Sequence, residues 1–282
     1  MKIATVSMVV GDYSCNARCP FCVASQTYAV KYEKTISDAD IRIGCRLGEL
    51  GGATTCLITG KGEPTLYPEE ITTSINIAKD YFPLIELQTN GIRLPLLHEH
   101  LPVWYRLGLR TISLSTTHYE HEANKKIYGN KYLDIAEVKK ILDSHNIRLR
   151  ISVVMHRDGI DTLEKCKAMI DYCRKLSVTG KYPVQLTMRP VACWDNQSKA
   201  SEWTKNHMVS DNELSNFYEW ISKFPIILTV PPDGKVLDID GQNLCVTDCL
   251  TTSKSTEELR QIIIYPDGRV AYDWKYKGAF LI

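Results

Sequence analysis

Three cysteines near the amino terminus have the spacing of iron ligands. Cys15, Cys19 and Cys22 follow one another as C-x3-C-x2-C, directly after the apolar run 3–10. Three thiolates on one short loop can hold three irons of a [4Fe–4S] cluster and leave the fourth iron open to a small molecule. A ferredoxin site uses four cysteines, and a zinc site uses four ligands, commonly as two separated pairs. The spacing therefore favours a cluster with one open iron over either alternative.

A second group of residues lies in the loop after the second predicted strand. Gly60 and Gly62 flank Lys61, and Glu63 follows before a proline. Glycine lets the backbone approach a ligand closely, and a carboxylate can receive an ammonium group. Such a loop is usually an ordinary turn when it occurs alone. Its position one strand after the cysteine loop favours a ligand site.

The two loops together resemble motifs of the radical S-adenosylmethionine (SAM) superfamily. The cysteine loop is similar to the family's cluster loop down to the aromatic residue before the third cysteine, Phe21, which we count among the cofactor-binding residues. The glycine loop resembles the family's Gly-Gly-Glu-Pro motif and departs from it at Lys61, where many members have glycine. The resemblance implies a [4Fe–4S] cluster on the three cysteines. It also implies that Gly60, Gly62 and Glu63 bind the amino group of SAM.

Residues at the ends of three further predicted strands resemble other family positions around SAM. Asn90 lies in a Thr-Asn-Gly sequence after the third strand, where the family has the same ending. Ser113 and Ser115 share one face of the fourth strand because side chains alternate, and the resemblance implies a ribose contact. Arg189, in the sixth strand, resembles a family position near the methionine carboxylate of SAM. A guanidinium suits that position because it can bind a carboxylate through two hydrogen bonds. Ordinary strand positions and a structural ion pair are the alternatives, and the adenine contacts stay unassigned.

The resemblance also implies the chemistry of such an enzyme. The amino and carboxylate groups of SAM chelate the open iron, and an electron from the cluster breaks the C5′–S bond of the sulfonium. Methionine and a 5′-deoxyadenosyl radical result, and the radical abstracts a hydrogen atom from the substrate. Flavodoxin or ferredoxin is the electron donor that the family suggests.

Length, charge and cysteine content restrict the partners and the compartment. The chain has 282 residues, enough for a single α/β barrel, and a formal net charge of +1. The basic stripe typical of nucleic-acid binding is missing, and no apolar run is long enough to cross a membrane. Ten cysteines in a long chain without an evident export signal predict reduced thiols. We therefore expect a cytoplasmic, oxygen-sensitive protein with neither nucleic-acid nor membrane partners.

Alternating strands and helices over residues 1–190 predict a parallel sheet. The predicted strands are 3–10, 54–59, 84–88, 110–115, 147–154 and 183–188, and the helices are 37–49, 68–80, 96–107, 134–145 and 161–177. The resemblance makes this α/β fold a partial (β/α)6 TIM-type barrel. Residues 191–282, with a helix at 211–224, short strands and a hairpin turning at Pro266-Asp267-Gly268, are expected to pack on the barrel. They form a short C-terminal α+β extension, not an independent domain.

Two further sets of residues have ambiguous roles. His156 follows the fifth predicted strand, where it is placed to contact a substrate or to move a proton. Cys245 and Cys249 form a second C-x3-C pair, and with Cys193 they resemble a reduced version of the auxiliary cluster that some family members carry. Because two or three cysteines are too few for the usual pattern, plain thiols or a redox pair are the alternative.

The motifs together predict a radical SAM enzyme that acts on a small molecule, such as a nucleoside, a cofactor precursor or an amino acid. This preference comes from the near-neutral charge and from the lack of an evident peptide-recognition domain or a full cysteine-rich tail. Modification of a peptide or activation of a partner protein is the alternative within the enzyme class. A structural iron–sulfur or zinc-binding module is the alternative outside it, and such a module has no use for Glu63.

Overall fold

The structure is a computed structural model that describes residues 2–27, 38–194, 197–230, 234–247, 258–274 and 278–282. Strands and helices alternate through these ranges. The strands are β1 Lys2–Val9, β2 Thr55–Thr59, β3 Leu84–Thr89, β4 Leu109–Thr116, β5 Arg148–Met155, β6 Gln185–Pro190, β7 Ile226–Val230, β8 Gly234–Ile239, β9 Gln242–Val246, β10 Glu258–Ile264 and β11 Val270–Ala271. The helices are α1 Val23–Gln26, α2 Asp38–Leu50, α3 Pro68–Ala78, α4 His100–Leu107, α5 His121–Tyr128, α6 Ile135–Ser144, α7 Leu163–Thr179, α8 Lys199–Asn206 and α9 Asp211–Ile221.

The strands form one sheet in the order β11-β10-β1-β2-β3-β4-β5-β6-β9-β8-β7. The eight strands from β10 to β9 are all parallel, while β11, β8 and β7 pair antiparallel to their neighbours. The sheet is not closed, so the molecule is a partial α/β barrel. The predicted fold class is confirmed, and all six predicted strands of the core are present.

The carboxyl-terminal residues add parallel strands to both edges of the six-stranded core. β10 lies beside β1, and β9 lies beside β6. A hydrogen bond of 2.7 Å from the guanidinium of Arg260 in β10 to Oγ1 of Thr247, just after β9, joins the two edges. Strands β7 to β11 thus extend the barrel's own sheet, although the division of residues 191–282 from the core stays a prediction. The sequence did not indicate β9, because its five residues include Gln242 and Asn243.

The two faces of the central strands differ in polarity. Alternate residues such as Ile112, Leu114, Ile151 and Val153 are completely buried on the convex face, within the main hydrophobic core. Because side chains alternate across a strand, the intervening residues lie on the concave face, where polar side chains predominate. The fold therefore separates an apolar layer beneath the helices from a polar interior.

Local capping explains several element boundaries. Side-chain oxygens of Asp134 and Thr162 accept backbone N–H bonds at the start of α6 and α7, which satisfies donors that a helix leaves unpaired. The predicted helix 96–107 instead begins at His100, after a short 3-10 turn over Leu94–Leu96. The predicted hairpin is present between β10 and β11, with Gly268 at φ +84° in its turn. Helices α1, α5 and α8 were not predicted.

Candidate functional site

The loop after β1 brings the three motif cysteines together at the carboxyl end of the sheet. The Cys22 backbone N–H donates to the carbonyl of Cys19 at 3.1 Å, and the Ala17 N–H donates to Sγ of Cys15 at 3.4 Å. Burial raises the pKa of the Cys19 thiol, and the charges of Cys22 and Cys15 raise it further. Burial also raises the pKa of Cys15, with Glu63 and Cys22 adding to the effect. The ionised thiolates would repel one another, and a cationic centre bound to them would relieve that repulsion.

The donor set fits an iron–sulfur cluster. All three cysteines are free thiols, and each is at least partly accessible. A coordinated thiol is deprotonated by the metal, which offsets the burial and the mutual repulsion that raise the pKa of Cys15 and of Cys19. Among the described residues, no three His, Cys, Asp or Glu side chains are grouped closely enough to hold a single metal ion. In a cluster, by contrast, each thiolate binds a separate iron.

The glycine loop after β2 packs directly on the cysteine loop. The backbone N–H of Glu63 donates to the carbonyl of Ser14 at 2.9 Å. A Cβ on Gly62 would lie 2.0 Å from that same oxygen, and a Cβ on Gly60 would lie 3.1 Å from the carbonyl of Val10. The first distance is too short for any side chain. Gly62 is therefore required for the contact between the two loops.

The carboxylate of Glu63 is buried, and protein groups bind it on several sides. Its Oε1 accepts from the backbone N–H of Thr65 at 3.0 Å and from the hydroxyls of Thr65 and Thr89 at 2.6 Å each. Within the described part of the chain, its Oε2 accepts only the backbone N–H of Asn90, at 2.9 Å. No cation pairs with this carboxylate among the described residues. One acceptor position on Oε2 and a full negative charge are thus left for a ligand.

Asn90 connects the end of β3 to the cysteine loop. Its side-chain amide donates to Oδ1 of Asn16 at 2.7 Å and lies 4.0 Å from Sγ of Cys15. Its own Oδ1 accepts the backbone N–H of Ile92 at 3.0 Å. The side chain thus contacts the candidate cluster ligand, and its predicted role in binding cofactor stays a prediction.

Polar side chains form a row across the concave face. Ser115, Ser152, Thr187 and Cys245 are register partners on β4, β5, β6 and β9. The strand pairing places Ser113 beside Arg150 in the next row down. The two serines predicted to contact ribose therefore lie on the interior face of the barrel.

Two arginines project into this interior, and only one of them is paired within the described residues. Arg150 forms an ion pair of 2.6 Å with Glu86 and donates to Gln185 at 3.0 Å. Arg189 has no hydrogen bond or ion pair within the described residues, and its Nε is buried. Burial raises the pKa of Glu86, and the charges of Arg150 and Arg189 oppose that rise. The structural ion pair considered for Arg189 is thus not formed with any described residue.

His156 and Phe21 belong to an aromatic cluster behind the cysteine loop. The ring of Phe21 lies 5.8 Å from Trp203, 6.1 Å from His156 and 6.4 Å from Tyr128. The His156 Nδ1 bonds to the carbonyl of Arg157 at 2.6 Å, while its Nε2 is buried without a partner among the described residues. Burial lowers the pKa of His156, so the ring is held in its neutral form.

Gln26 is a structurally important residue that the sequence analysis did not identify. This buried side chain joins the cysteine loop to α8 and the residues before it. Its amide donates to the carbonyl of Phe21 at 3.0 Å, and its Oε1 accepts from Ser201 at 3.2 Å and from the backbone of Trp194 at 3.1 Å. A lone glutamine carries no motif, so only the contacts between distant segments reveal its role.

The cysteines considered for an auxiliary cluster are not all described. Cys193 lies near α8, with Sγ 3.6 Å from the carbonyl of Ser201, and Cys245 lies on β9. Cys249 lies outside the described residues. The auxiliary cluster stays a prediction.

The described features define a partial α/β barrel with a candidate iron–sulfur site at the carboxyl ends of its strands. The sequence profile of the radical SAM superfamily matches residues 13–170, more than half of the chain. The chain belongs to this superfamily, whose members use a [4Fe–4S] cluster and SAM. No helix in the described part of the chain is both long and apolar enough to span a membrane.

Solved structures of several radical SAM proteins share the fold. Streptococcus suis SuiB bound to SAM aligns at a TM-score of 0.62 and 14% identity, covering 95% of this chain and 60% of SuiB. Methylornithine synthase (PylB) aligns at a TM-score of 0.57 and 11% identity, over 90% of this chain and 74% of PylB. The protein anSMEcpe with bound SAM aligns at a TM-score of 0.54 and 14% identity, over 96% of this chain and 74% of anSMEcpe. The chain thus spans about 60% of the length of SuiB.

Proposed function

We propose that Cys15, Cys19 and Cys22 ligate the cluster and that Glu63 receives the ammonium group of SAM. The observation that carries the proposal is the buried carboxylate of Glu63, which pairs with no cation among the described residues and lies in a turn hydrogen-bonded to the cysteine loop. An uncompensated buried charge is costly. A ligand that brings an ammonium group to this position removes the cost, and SAM brings one.

Each of the other site residues then has a specific task. When bound, the cluster supplies the electron that cleaves SAM into methionine and a 5′-deoxyadenosyl radical. Arg189, with a guanidinium not engaged by any described residue, binds the methionine carboxylate. Ser113 and Ser115 bind the ribose hydroxyls from the concave face. His156 stays neutral because of its burial and contacts the substrate or accepts a proton at Nε2.

We propose a small polar molecule as the substrate, in the class of nucleosides, cofactor precursors and amino acids. The concave face supports this choice, because Ser152, Thr187 and Cys245 offer hydroxyl and thiol groups in adjacent register positions. Such a lining suits a polar ligand that is enclosed by the barrel. Flavodoxin or ferredoxin in a reducing cytoplasm is the proposed source of electrons.

The test is an anaerobic assay for 5′-deoxyadenosine. The protein is reconstituted with iron and sulfide, reduced with dithionite and given SAM. A variant with Cys15, Cys19 and Cys22 all changed to Ala is compared with Cys173→Ala, which removes a core thiol outside the site. We expect the triple variant to lose the cluster and all product, and Cys173→Ala to keep both. Zinc binding without iron would refute the proposal.

A second arm of the assay tests the substrate class. Nucleosides, amino acids and cofactor precursors are added singly, and the rate of 5′-deoxyadenosine formation is measured for each. A small molecule that accelerates the rate and takes part in the reaction supports the proposal. Acceleration only by peptides would favour the peptide-modifying alternative.

A further inference from the structure

Lys61 carries a buried charge that has no anionic partner among the described residues. The residue is only 6% exposed. Its ammonium group donates to Oγ1 of Thr27 at 3.0 Å and lies 4.9 Å from the centre of the Trp274 ring. Neither neighbour is charged. An isolated ammonium costs several kcal/mol to bury, in the order of magnitude found for unpaired ions in proteins.

The position of Lys61 directs this charge toward the cysteine loop. Thr27 ends the short helix α1, which starts immediately after Cys22. The hydrogen bond to Thr27 therefore places the ammonium beside the short helix that begins after Cys22, a candidate cluster ligand. Burial lowers the pKa of Lys61 to about 8, and the charge of Cys22 acts in the opposite direction.

The turn from Gly60 to Glu63 thus contains two buried charges of opposite sign that do not pair with each other. Glu63 faces the end of β3, where its partners are Thr89 and Asn90. Lys61 faces α1 and the ring of Trp274. The proposed function gives Glu63 a cationic ligand, the ammonium of SAM. Lys61 needs an anion, and a cluster bound by three thiolates is one, because the thiolates outweigh the charge of the oxidised iron–sulfur core.

We propose that Lys61 is the counter-charge of the cluster and raises its reduction potential. This inference rests on the proposed function. One-electron reduction adds a negative charge near the ammonium, so the ammonium stabilises the reduced state more than the oxidised state. Net charge close to a cluster is one of the factors that set its potential. Lys61 therefore acts through the cluster and not on the substrate: its charge favours the one-electron reduction of the cluster that begins the reaction.

The test is a redox titration of the reconstituted protein without SAM, followed by electron paramagnetic resonance. Lys61→Met removes the charge and keeps most of the side chain. We expect the equilibrium constant for reduction to fall by tenfold or more, which is about 59 mV for one electron. Lys61→Arg keeps the charge and should restore the potential of the unchanged protein. Lys205→Met, which removes an exposed charge on α8, should leave the potential unchanged.

Two further measurements separate an electrostatic role from a structural one. Thermal unfolding of the cluster-free protein should be unaffected or improved by Lys61→Met, because the substitution removes a buried charge. If Lys61→Met does not load four irons per chain, Lys61→Gly replaces it, because glycine is common at this position in the family. Titrations are compared only between fully loaded samples, so failure of the proposed function appears separately, as missing iron or missing 5′-deoxyadenosine. Reduction potentials of Lys61→Met and Lys61→Gly equal to that of the unchanged protein would overturn the inference. Weaker SAM binding at an unchanged potential would overturn it as well.

Discussion

The backbone N–H of Asn90 donates a 2.9 Å hydrogen bond to the carboxylate of Glu63, and this bond ties the end of β3 to the turn after β2. The same carboxylate binds the hydroxyl of Thr89 at 2.6 Å. Glu63 is thus a connector between two strand ends as well as the proposed ligand for an ammonium group. Substitutions of Glu63 must therefore be interpreted for stability and for binding together.

Glu63→Gln should weaken SAM binding at least tenfold, because it removes the charge that pairs with the ammonium group. The amide also places N–H groups against the existing donors, which should lower the free energy of unfolding by about 1–3 kcal/mol. Calorimetric titration with SAM and chemical denaturation measure the two effects. Glu70→Gln is the matched control, since Glu70 accepts a backbone bond from Gly11 at 2.7 Å without a proposed ligand role. Unchanged SAM affinity in Glu63→Gln would contradict the assignment.

Gly62→Ala should separate the glycine loop from the cysteine loop. The new Cβ would lie 2.0 Å from the carbonyl of Ser14, so one of the two backbones must move. We expect a loss of about 1–3 kcal/mol in unfolding free energy, together with reduced iron content and weaker SAM binding. Gly278→Ala serves as the control, because nothing lies within 4 Å of the added atom. Normal iron loading in Gly62→Ala would show that the contact is dispensable.

Gln26→Leu should loosen the attachment of α8 to the cysteine loop. The substitution leaves the carbonyl of Phe21 and the hydroxyl of Ser201 buried without their partner. Each such group costs about 1–3 kcal/mol, so the melting temperature should fall by several degrees. Hydrogen exchange should become faster in residues 199–206. Asn206→Leu, at the exposed end of α8, should change the melting temperature little. A similar fall in melting temperature in both variants would argue against a specific role for Gln26.

The stability of the protein should decrease below about pH 6.5, in part because of His156. Burial lowers the pKa of this side chain from its ordinary value of 6.5. The unfolded chain then takes up a proton at a higher pH than the folded chain, so stability is lost as the pH falls from 6.5 toward the lowered pKa. His118 is shifted in the same direction by burial, and some pH dependence therefore remains in His156→Gln.

Denaturation at a series of pH values between about 7.5 and 5 measures this effect, and the slope should be smaller in His156→Gln. The exposed His98 provides the control, since His98→Gln should keep the full slope. A slope that is identical in His156→Gln and in the unchanged protein would mean that His156 is not held neutral by the fold.

Much of the fold and the position of the candidate site could be predicted from the sequence. The alternation of apolar and polar residues in β4 and β5 predicts strands buried on one face, and these strands were placed within one residue of their ends. Cys15, Cys19 and Cys22 lie in one loop, so their spacing does not depend on how the remaining chain folds. The sequence could not predict β9 beside the six-stranded core, because its pairing with β6 joins residues more than fifty positions apart.

The sequence by itself determined the superfamily, the order of the core strands and the loop that carries the three thiols, because these properties depend on residues that are close neighbours along the chain. Only the tertiary structure decided the partners of Glu63, the contacts of Gln26 and the environment of Lys61. Each of these depends on hydrogen bonds and burial between distant segments, such as the 4.9 Å approach of the Lys61 ammonium to the ring of Trp274. Whether a charged side chain is solvated or buried without a partner is a property of the packed molecule, because the neighbours that remove its water come from elsewhere in the sequence.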